Sequence, residues 1–346
     1  MSRLARTLLL PLSWIYGTIV WLRNVWYDRA TPCVSRVDVP VISVGNMTAG
    51  GTGKTPFIEY LIKYFVGQNK KVAVLSRGYK RRSRGPVVVG SNQPDRGDSS
   101  LLGDEPYQVT RKFPMVTMVV DAKRARAATI AVKSQIPDVI LLDDGFQHRA
   151  LARDLDIVMI DGQTELRRVP MLPAGSRREP MGSLNRADVI AFSRITSAMP
   201  HLPVRDSGVL RLRVTFEPKR FCRLDGTDSI ALHQLAGTSC LAFCGIANPD
   251  SFRNTLTSIG LDIVGFLTFS DHRYYSKSSA MRIRELSVRH NAKFIITTEK
   301  DAARLYGSEA MEILSTQPVL YLEIAAVVDE GEELFCRLLD RTLAAN

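Results

Sequence analysis

One run constrains this chain more than any other: Gly45-Asn46-Met47-Thr48-Ala49-Gly50-Gly51-Thr52-Gly53-Lys54-Thr55 lies between an apolar strand-like run, 39–44, and a helix-patterned run, 55–66. Glycines let the backbone curl until successive N–H groups point inward at phosphate oxygens. The start of the following helix adds partial positive charge at the same place. Lys54 can reach the β- and γ-phosphates of a nucleotide, and the Thr55 hydroxyl can ligate Mg²⁺. Thr48 stands where such loops usually open with glycine, and Gly50 and Gly51 supply the flexibility instead. Thr48, Ala49, Gly50, Gly51, Thr52, Gly53, Lys54 and Thr55 are therefore the candidate nucleotide-binding residues.

A phosphate loop needs an acidic partner at the end of a buried strand. The run 139–142 is apolar and ends in Asp143-Asp144, followed by Gly145-Phe146-Gln147-His148. Adjacent carboxylates repel unless a cation or hydrogen bonds intervene. Mg²⁺ is the natural cation beside such a loop. Guanine selection often uses Asn/Thr-Lys-x-Asp, and Thr298-Glu299-Lys300-Asp301 has the wrong spacing. ATP with Mg²⁺ is the expected ligand pair.

Strand-like runs at 39–44, 72–75, 87–89, 116–120, 139–142, 157–160 and 189–192 alternate with helix-like runs, including 55–66 and 123–132. Strands this apolar imply a parallel sheet covered on both faces. After Pro200, Pro203 and Ser207, an alternating stretch at 209–216 reads as an extended connection. A second α/β unit then carries strands at 239–243, 294–297 and 319–324 and a helix at 250–259. The expected fold class is α/β: a P-loop NTPase-like parallel sheet covered by helices, a second smaller α/β domain, and an N-terminal interfacial helix. The expected division is 1–30 for that helix, 31–205 for the P-loop domain, 206–235 for an extended linker and 236–346 for the second domain.

The helix at the N-terminus follows from 7–22, an apolar run interrupted by Pro11 and Gly17 and flanked by Arg3, Arg6 and Arg23. It is short for a membrane span, and no small-residue cleavage site follows. Trp14, Trp21 and Trp26 are all the tryptophans of the chain. Tryptophan favours the membrane–water boundary, and arginine favours the headgroups. Forty-six Lys and Arg against 35 Asp and Glu give a net charge of +11, which suits an anionic surface or substrate. Nucleic acid is not expected: no recognised module occurs, and the basic loop 80–84 is short. The five cysteines, Cys33, Cys222, Cys240, Cys244 and Cys336, form no CxxC pair and read as reduced thiols.

Several runs together resemble the tetraacyldisaccharide 4'-kinase (lipid A 4'-kinase) family. They are 45–56, Ser76-Arg77-Gly78-Tyr79, Gly103-Asp104-Glu105-Pro106, 143–148, Leu172-Pro173-Ala174-Gly175 with Arg178-Glu179-Pro180, Phe269-Ser270-Asp271-His272, and 298–301. The resemblance runs from the N-terminal helix to about residue 304. Ser176-Arg177 depart from the family's usual Pro-Leu. The resemblance implies transfer of the ATP γ-phosphate to the 4'-hydroxyl of tetraacyldisaccharide 1-phosphate at the cytoplasmic face of the inner membrane, as a peripheral enzyme with no protein partner. It implies that Asp104 is the base and His272 its partner, with Lys54 also in the catalytic set. It places Thr55, Asp143, Asp144 and Glu105 at the metal, and Ser76, Arg77, Gly78, Tyr79, Arg124, Gln147 and Arg178 at the substrates.

Ordinary structural explanations stand beside these. Asp104 fits an N-cap ahead of a helix at 105–110, with Pro106 in its first turn. Tyr79 fits a packed aromatic, each arginine a solvated surface site, and Lys300 with Asp301 a helix start. Competing readings are a P-loop kinase or ATPase with a different anionic substrate, and a membrane-recruited nucleotide switch.

Overall fold

The computed structural model describes residues 3–29, 34–93, 97–195, 198–200, 202, 208–226, 228–271 and 274–345. Cys33, Pro203, Ser207 and His272 lie outside the described residues. In chain order the helices are α1 (Arg3–Arg29), α2 (Lys54–Gly67), α3 (Ser99–Leu102), α4 (Asp104–Lys112), α5 (Arg124–Ser134), α6 (Pro249–Ile259), α7 (Lys277–Arg289), α8 (Glu299–Leu305), α9 (Glu309–Leu314) and α10 (Glu332–Ala344). The strands are β1 (Val41–Asn46), β2 (Val72–Ser76), β3 (Val87–Val89), β4 (Thr117–Val120), β5 (Val139–Asp143), β6 (Leu155–Asp161), β7 (Val189–Ser193), β8 (Leu210–Arg223), β9 (Ser229–Ala231), β10 (Ser239–Cys244), β11 (Asp262–Thr268), β12 (Phe294–Thr298) and β13 (Val319–Glu330).

Among the described residues the strands form one sheet, ordered β11-β10-β12-β13-β8-β7-β6-β1-β5-β2-β4-β3, with β9 paired to β8. It consists of two parallel blocks. One runs from β8 through β1 to β4, with β3 closing its edge antiparallel. The other is β13-β12-β10-β11. The antiparallel pair of β8 and β13 joins them. β1, β2, β4 and β5 are buried at every position, as a sheet covered on both faces requires.

α2 buries Phe57, Ile58, Leu61, Ile62 and Phe65, the apolar stripe of its sequence, in the core of the first block. α10 covers α2 from outside. Phe335 stacks on Phe57 with ring centroids 5.9 Å apart, and the Tyr64 hydroxyl donates to Asp340 at 2.8 Å. The chain's last helix thus returns to the phosphate-loop core.

The structure extends some of the expected elements. β8 continues from 216 to Arg223, because its second half pairs with β13, which itself continues to Glu330. β11 is not among the expected strands, although Ile263, Val264, Phe266 and Leu267 give it an apolar run around Gly265. It is a half-exposed edge strand containing Asp262 and Gly265. Cys240 and Cys244 lie buried on β10, where burial pushes both thiols up to about 12.

α1 runs unbroken through Pro11 and Gly17. Gly17 faces Met171, where a Cβ would meet the Cγ at an ordinary contact of 3.8 Å. One side of the helix is fastened to the body. Ser13 Oγ donates to Met171 O, and the Tyr16 hydroxyl donates to Arg178 O. Arg23 and Asn24 both donate to Glu179, whose side chain is fully buried.

Candidate active site

The loop between β1 and α2 takes the conformation its glycines allow. Gly53 is left-handed at φ 88°, and a Cβ there would strike the Phe216 ring at 1.9 Å. Gly50, at φ 131°, faces open space. The loop is braced from behind by 176–178: Ala49 N donates to Ser176 O at 2.6 Å, Arg178 N donates to Met47 O at 2.8 Å, and Thr48 bridges Arg177. Asn46 Nδ2 and Ser193 Oγ tie down Thr52 from the flanking strands.

Asp143 and Asp144 follow directly, at the end of β5 beside β1. They stand in opposite electrostatic states. Burial pushes the Asp143 carboxyl up to about 7, and Glu105 and Asp144 reinforce the shift. Its Oδ2 accepts from Ser76 Oγ at 2.9 Å, and its buried Oδ1 has no hydrogen-bond partner among the described residues. Asp144 is turned outward by a left-handed backbone, φ 51°. Burial opposes its charge, but Lys54 Nζ at 3.4 Å and Arg178 Nη1 at 2.9 Å outweigh burial and hold the carboxyl below its usual range.

Thr55, Ser76, Glu105 and Asp143 line one small cavity, floored by Ile58, Val74 and Met118. An orphaned buried carboxylate oxygen next to a hydroxyl and a second carboxylate is a donor set that fits Mg²⁺, which takes one or two carboxylates and completes its shell with water and phosphate. Arg124, at the start of α5, is buried beside these groups. Its Nη1 donates to Asp121 O, while Nε and Nη2 have no partner among the described residues. Burial brings its guanidinium down to about 10 despite Asp143 and Asp144. Gln147 Nε2 donates to Asn46 O at 3.0 Å, on the underside of the loop. Burial and Arg124 together push His148 down to about 4, a neutral imidazole.

Asp104 stands on the same rim. It is not the N-cap its sequence suggests. Gly103 occupies that position without a side-chain cap, and Asp104 is the first helical residue of α4. Its carboxylate turns instead to the second block, where Arg304 Nε donates to Oδ2 at 2.8 Å. Next to it, Lys300 Nζ meets Glu105 Oε1 at 3.2 Å. Lys300 and Asp301 do start a helix, α8, which Thr298 caps; Lys300 reaches Glu105 on the rim, while Asp301 is bonded within its own block. Arg77 and Tyr79 are exposed on the loop after β2, with Tyr79 at 58 %, so Tyr79 is not a packed aromatic. Gly78 between them is buried and left-handed, φ 66°.

The structure therefore gathers Lys54, Thr55, Ser76, Asp104, Glu105, Arg124, Asp143, Asp144, Gln147 and Arg178 around the mouth of the phosphate loop. Arg304 joins this rim through Asp104, and the sequence offers no functional signal for it beyond the neighbouring run 298–301.

A sequence model of the family described as Tetraacyldisaccharide-1-P 4'-kinase matches residues 5–344. A tetraacyldisaccharide 4'-kinase of Chlorobaculum parvum is 36% identical over 348 residues, spanning 98% of this chain and 95% of that one. One from Syntrophotalea carbinolica is 39% identical over 298 residues, spanning 86% and 82%. Among solved structures, LpxK from Aquifex aeolicus, titled as an "apo" form in complex with ATP, superposes with a TM-score of 0.82 at 31% identity, covering 98% of this chain and 99% of its own.

Proposed function

This chain belongs to the tetraacyldisaccharide-1-P 4'-kinase family, and from that premise we propose that it transfers the γ-phosphate of ATP to the 4'-hydroxyl of tetraacyldisaccharide 1-phosphate. The observation that carries the reading is the pair at the end of β5: Asp144 joined to Lys54 and Arg178 at the mouth of the phosphate loop, and Asp143 buried beside Thr55 with one carboxylate oxygen unpartnered. That arrangement suits a triphosphate with a divalent cation.

In this reading the N–H groups of 48–55 and Lys54 hold the phosphates, and Arg124 and Arg178 supply guanidinium groups to them. Thr55 and Asp143, with Asp144 and Glu105 close by, would hold Mg²⁺, which would supply positive charge to the phosphates during transfer. Asp104 accepts the proton of the sugar hydroxyl. The sugar oxygen forms its bond to the γ-phosphorus as the bond from that phosphorus to the bridging oxygen breaks, and ADP leaves. The division into a P-loop unit, a connection at 206–235 and a second unit belongs to this reading. The acceptor then enters where α4 meets α8, past the exposed Tyr79.

Labelled transfer from γ-³²P-ATP to tetraacyldisaccharide 1-phosphate in detergent micelles tests the proposal. Labelled bisphosphorylated lipid is expected, and none with a 4'-deoxy acceptor. Folded, ATP-binding protein that labels no lipid would sink it.

The substrate's acyl chains place it in a membrane, and α1 offers the matching surface. Leu8, Leu12, Trp14, Ile15, Ile19, Trp21, Leu22 and Trp26 are all at least half exposed along it. The helix is long and apolar enough to cross a membrane by length and composition. Its other side is bonded to the body from Ser13 to Asn24, which favours lying along a membrane surface; in this reading that surface is the cytoplasmic face of the inner membrane. Trp14→Glu combined with Ile15→Glu is expected to lower binding to anionic vesicles at least about tenfold, from lost apolar burial. Unchanged flotation with vesicles would remove α1 as the docking surface.

A further inference from the structure

We propose that Arg304 is a positioning residue for the reaction, holding the Asp104 carboxylate oriented from the opposite block of the sheet; the inference rests on the reading of Asp104 as the base. Arg304 lies on α8 with its side chain fully buried, 200 residues along the chain from the aspartate it touches. Its guanidinium is fixed from the side of its own block. Nη1 donates to Gly245 O and to Asp301 Oδ1, both at 2.7 Å, and Nη2 lies 3.5 Å from Asp271 Oδ1.

Asp301 is itself held by three donors: the Tyr275 hydroxyl at 2.9 Å, Gly245 N at 2.9 Å and Thr298 Oγ1 at 2.6 Å. The rigid planar fork therefore has little freedom, and its Nε is presented to Asp104 Oδ2 at 2.8 Å.

Stability alone does not require that last contact. Arg304 already has a buried counter-ion in Asp301, and buried ion pairs are on balance no more stabilising than well-packed apolar groups. What the contact adds is a fixed cation at a carboxylate on the rim of the phosphate loop. Engagement of Oδ2 orients the carboxylate. A displacement of such a group by about 1 Å is enough to cost ~10²-fold in rate.

A staple that merely joins α4 to α8 would use the same bonds, so the test must separate the two. Arg304→Lys keeps the charge and the stem but loses the fork. It is expected to lower kcat about 10- to 100-fold with KM for ATP within about twofold. On the Asp104→Asn background the same substitution is expected to lower kcat no further than about twofold, because residues acting as one unit are not additive. Should Arg304→Lys fail to fold, Asp301→Asn with Arg304→Met removes the two charges together and enters the same cycle. Wild-type kcat in the Arg304 variant, or losses that multiply in the combined variant, would overturn the positioning role and leave Asp104 as the base. Near wild-type turnover in Asp104→Asn alone would overturn the base reading, and this inference with it.

Discussion

Asp104→Asn is expected to lower kcat for lipid phosphorylation by about 10³-fold while KM for ATP stays within about twofold. The amide keeps the shape of the carboxylate and can still accept from Arg304 Nε, so α4 and its contact with α8 stay in place. It cannot take a proton. In the proposed reading the nucleotide is held elsewhere, by the loop between β1 and α2 and by the groups around Asp143 and Asp144. The loss therefore falls on the chemical step rather than on ATP affinity. Steady-state transfer at saturating lipid, with ATP varied, separates the two. A variant that keeps more than about a tenth of wild-type kcat would move the base role to another carboxylate, since general-base removal costs ~10²–10⁴-fold. Asp271 would then be the next to substitute, as it lies on the same guanidinium at 3.5 Å.

How far the sequence anticipates this site depends on how local each part is. The phosphate loop is legible because everything it needs is contiguous: an apolar strand, glycines that permit φ 88° and 131°, and a helix that starts at Lys54. Asp143 and Asp144 are legible for the same reason, since a carboxylate pair ending an apolar run has few other uses. Their opposite states are not legible. These depend on Glu105, Lys54 and Arg178, which come from three other segments.

The alternating pattern at 209–216 marks a strand, yet not that β8 continues to Arg223, because that half is stabilised by pairing with β13, far along the chain. Asp104 shows the limit most clearly. Its local context, Gly before and Pro two residues after, is that of a helix start. Propensity cannot tell a capping aspartate from a first-turn aspartate whose partner is an arginine in another block. His272, which the family resemblance pairs with Asp104, lies outside the described residues.

Lys112→Met is expected to destabilise the fold by about 3–5 kcal/mol at pH 8.5, the usual cost of stripping one partner from a buried charge cluster. Lys112 Nζ lies 2.6 Å from Glu59, 2.9 Å from Glu299 and 3.1 Å from Glu323. Those side chains come from α2, α8 and β13, and Lys112 itself ends α4, so one ammonium joins the phosphate-loop helix to the seam with the second block. Arg220 shares Glu323 at 2.6 Å, and Gln108 shares Glu59 at 2.9 Å.

Burial opposes the charge on Lys112, but Glu299 and Glu59 outweigh it and hold the ammonium above its ordinary range. One cation does not offset the burial of all three carboxylates. Burial, with Glu59 adding to it, pushes Glu299 up to about 8, and burial also raises Glu59. The sign of the pH dependence follows. A carboxyl raised in the folded state costs nothing below its ordinary value near 4.5; it removes stability progressively as pH rises from there to about 8, where the loss is complete. Without the ammonium the two carboxyls rise further, so the variant's deficit grows with pH. Urea unfolding at pH 5.5 and 8.5 measures it: a markedly smaller loss at the lower pH is the electrostatic result. An equal loss at both would mean that Lys112 contributes the packing of its stem and not its charge.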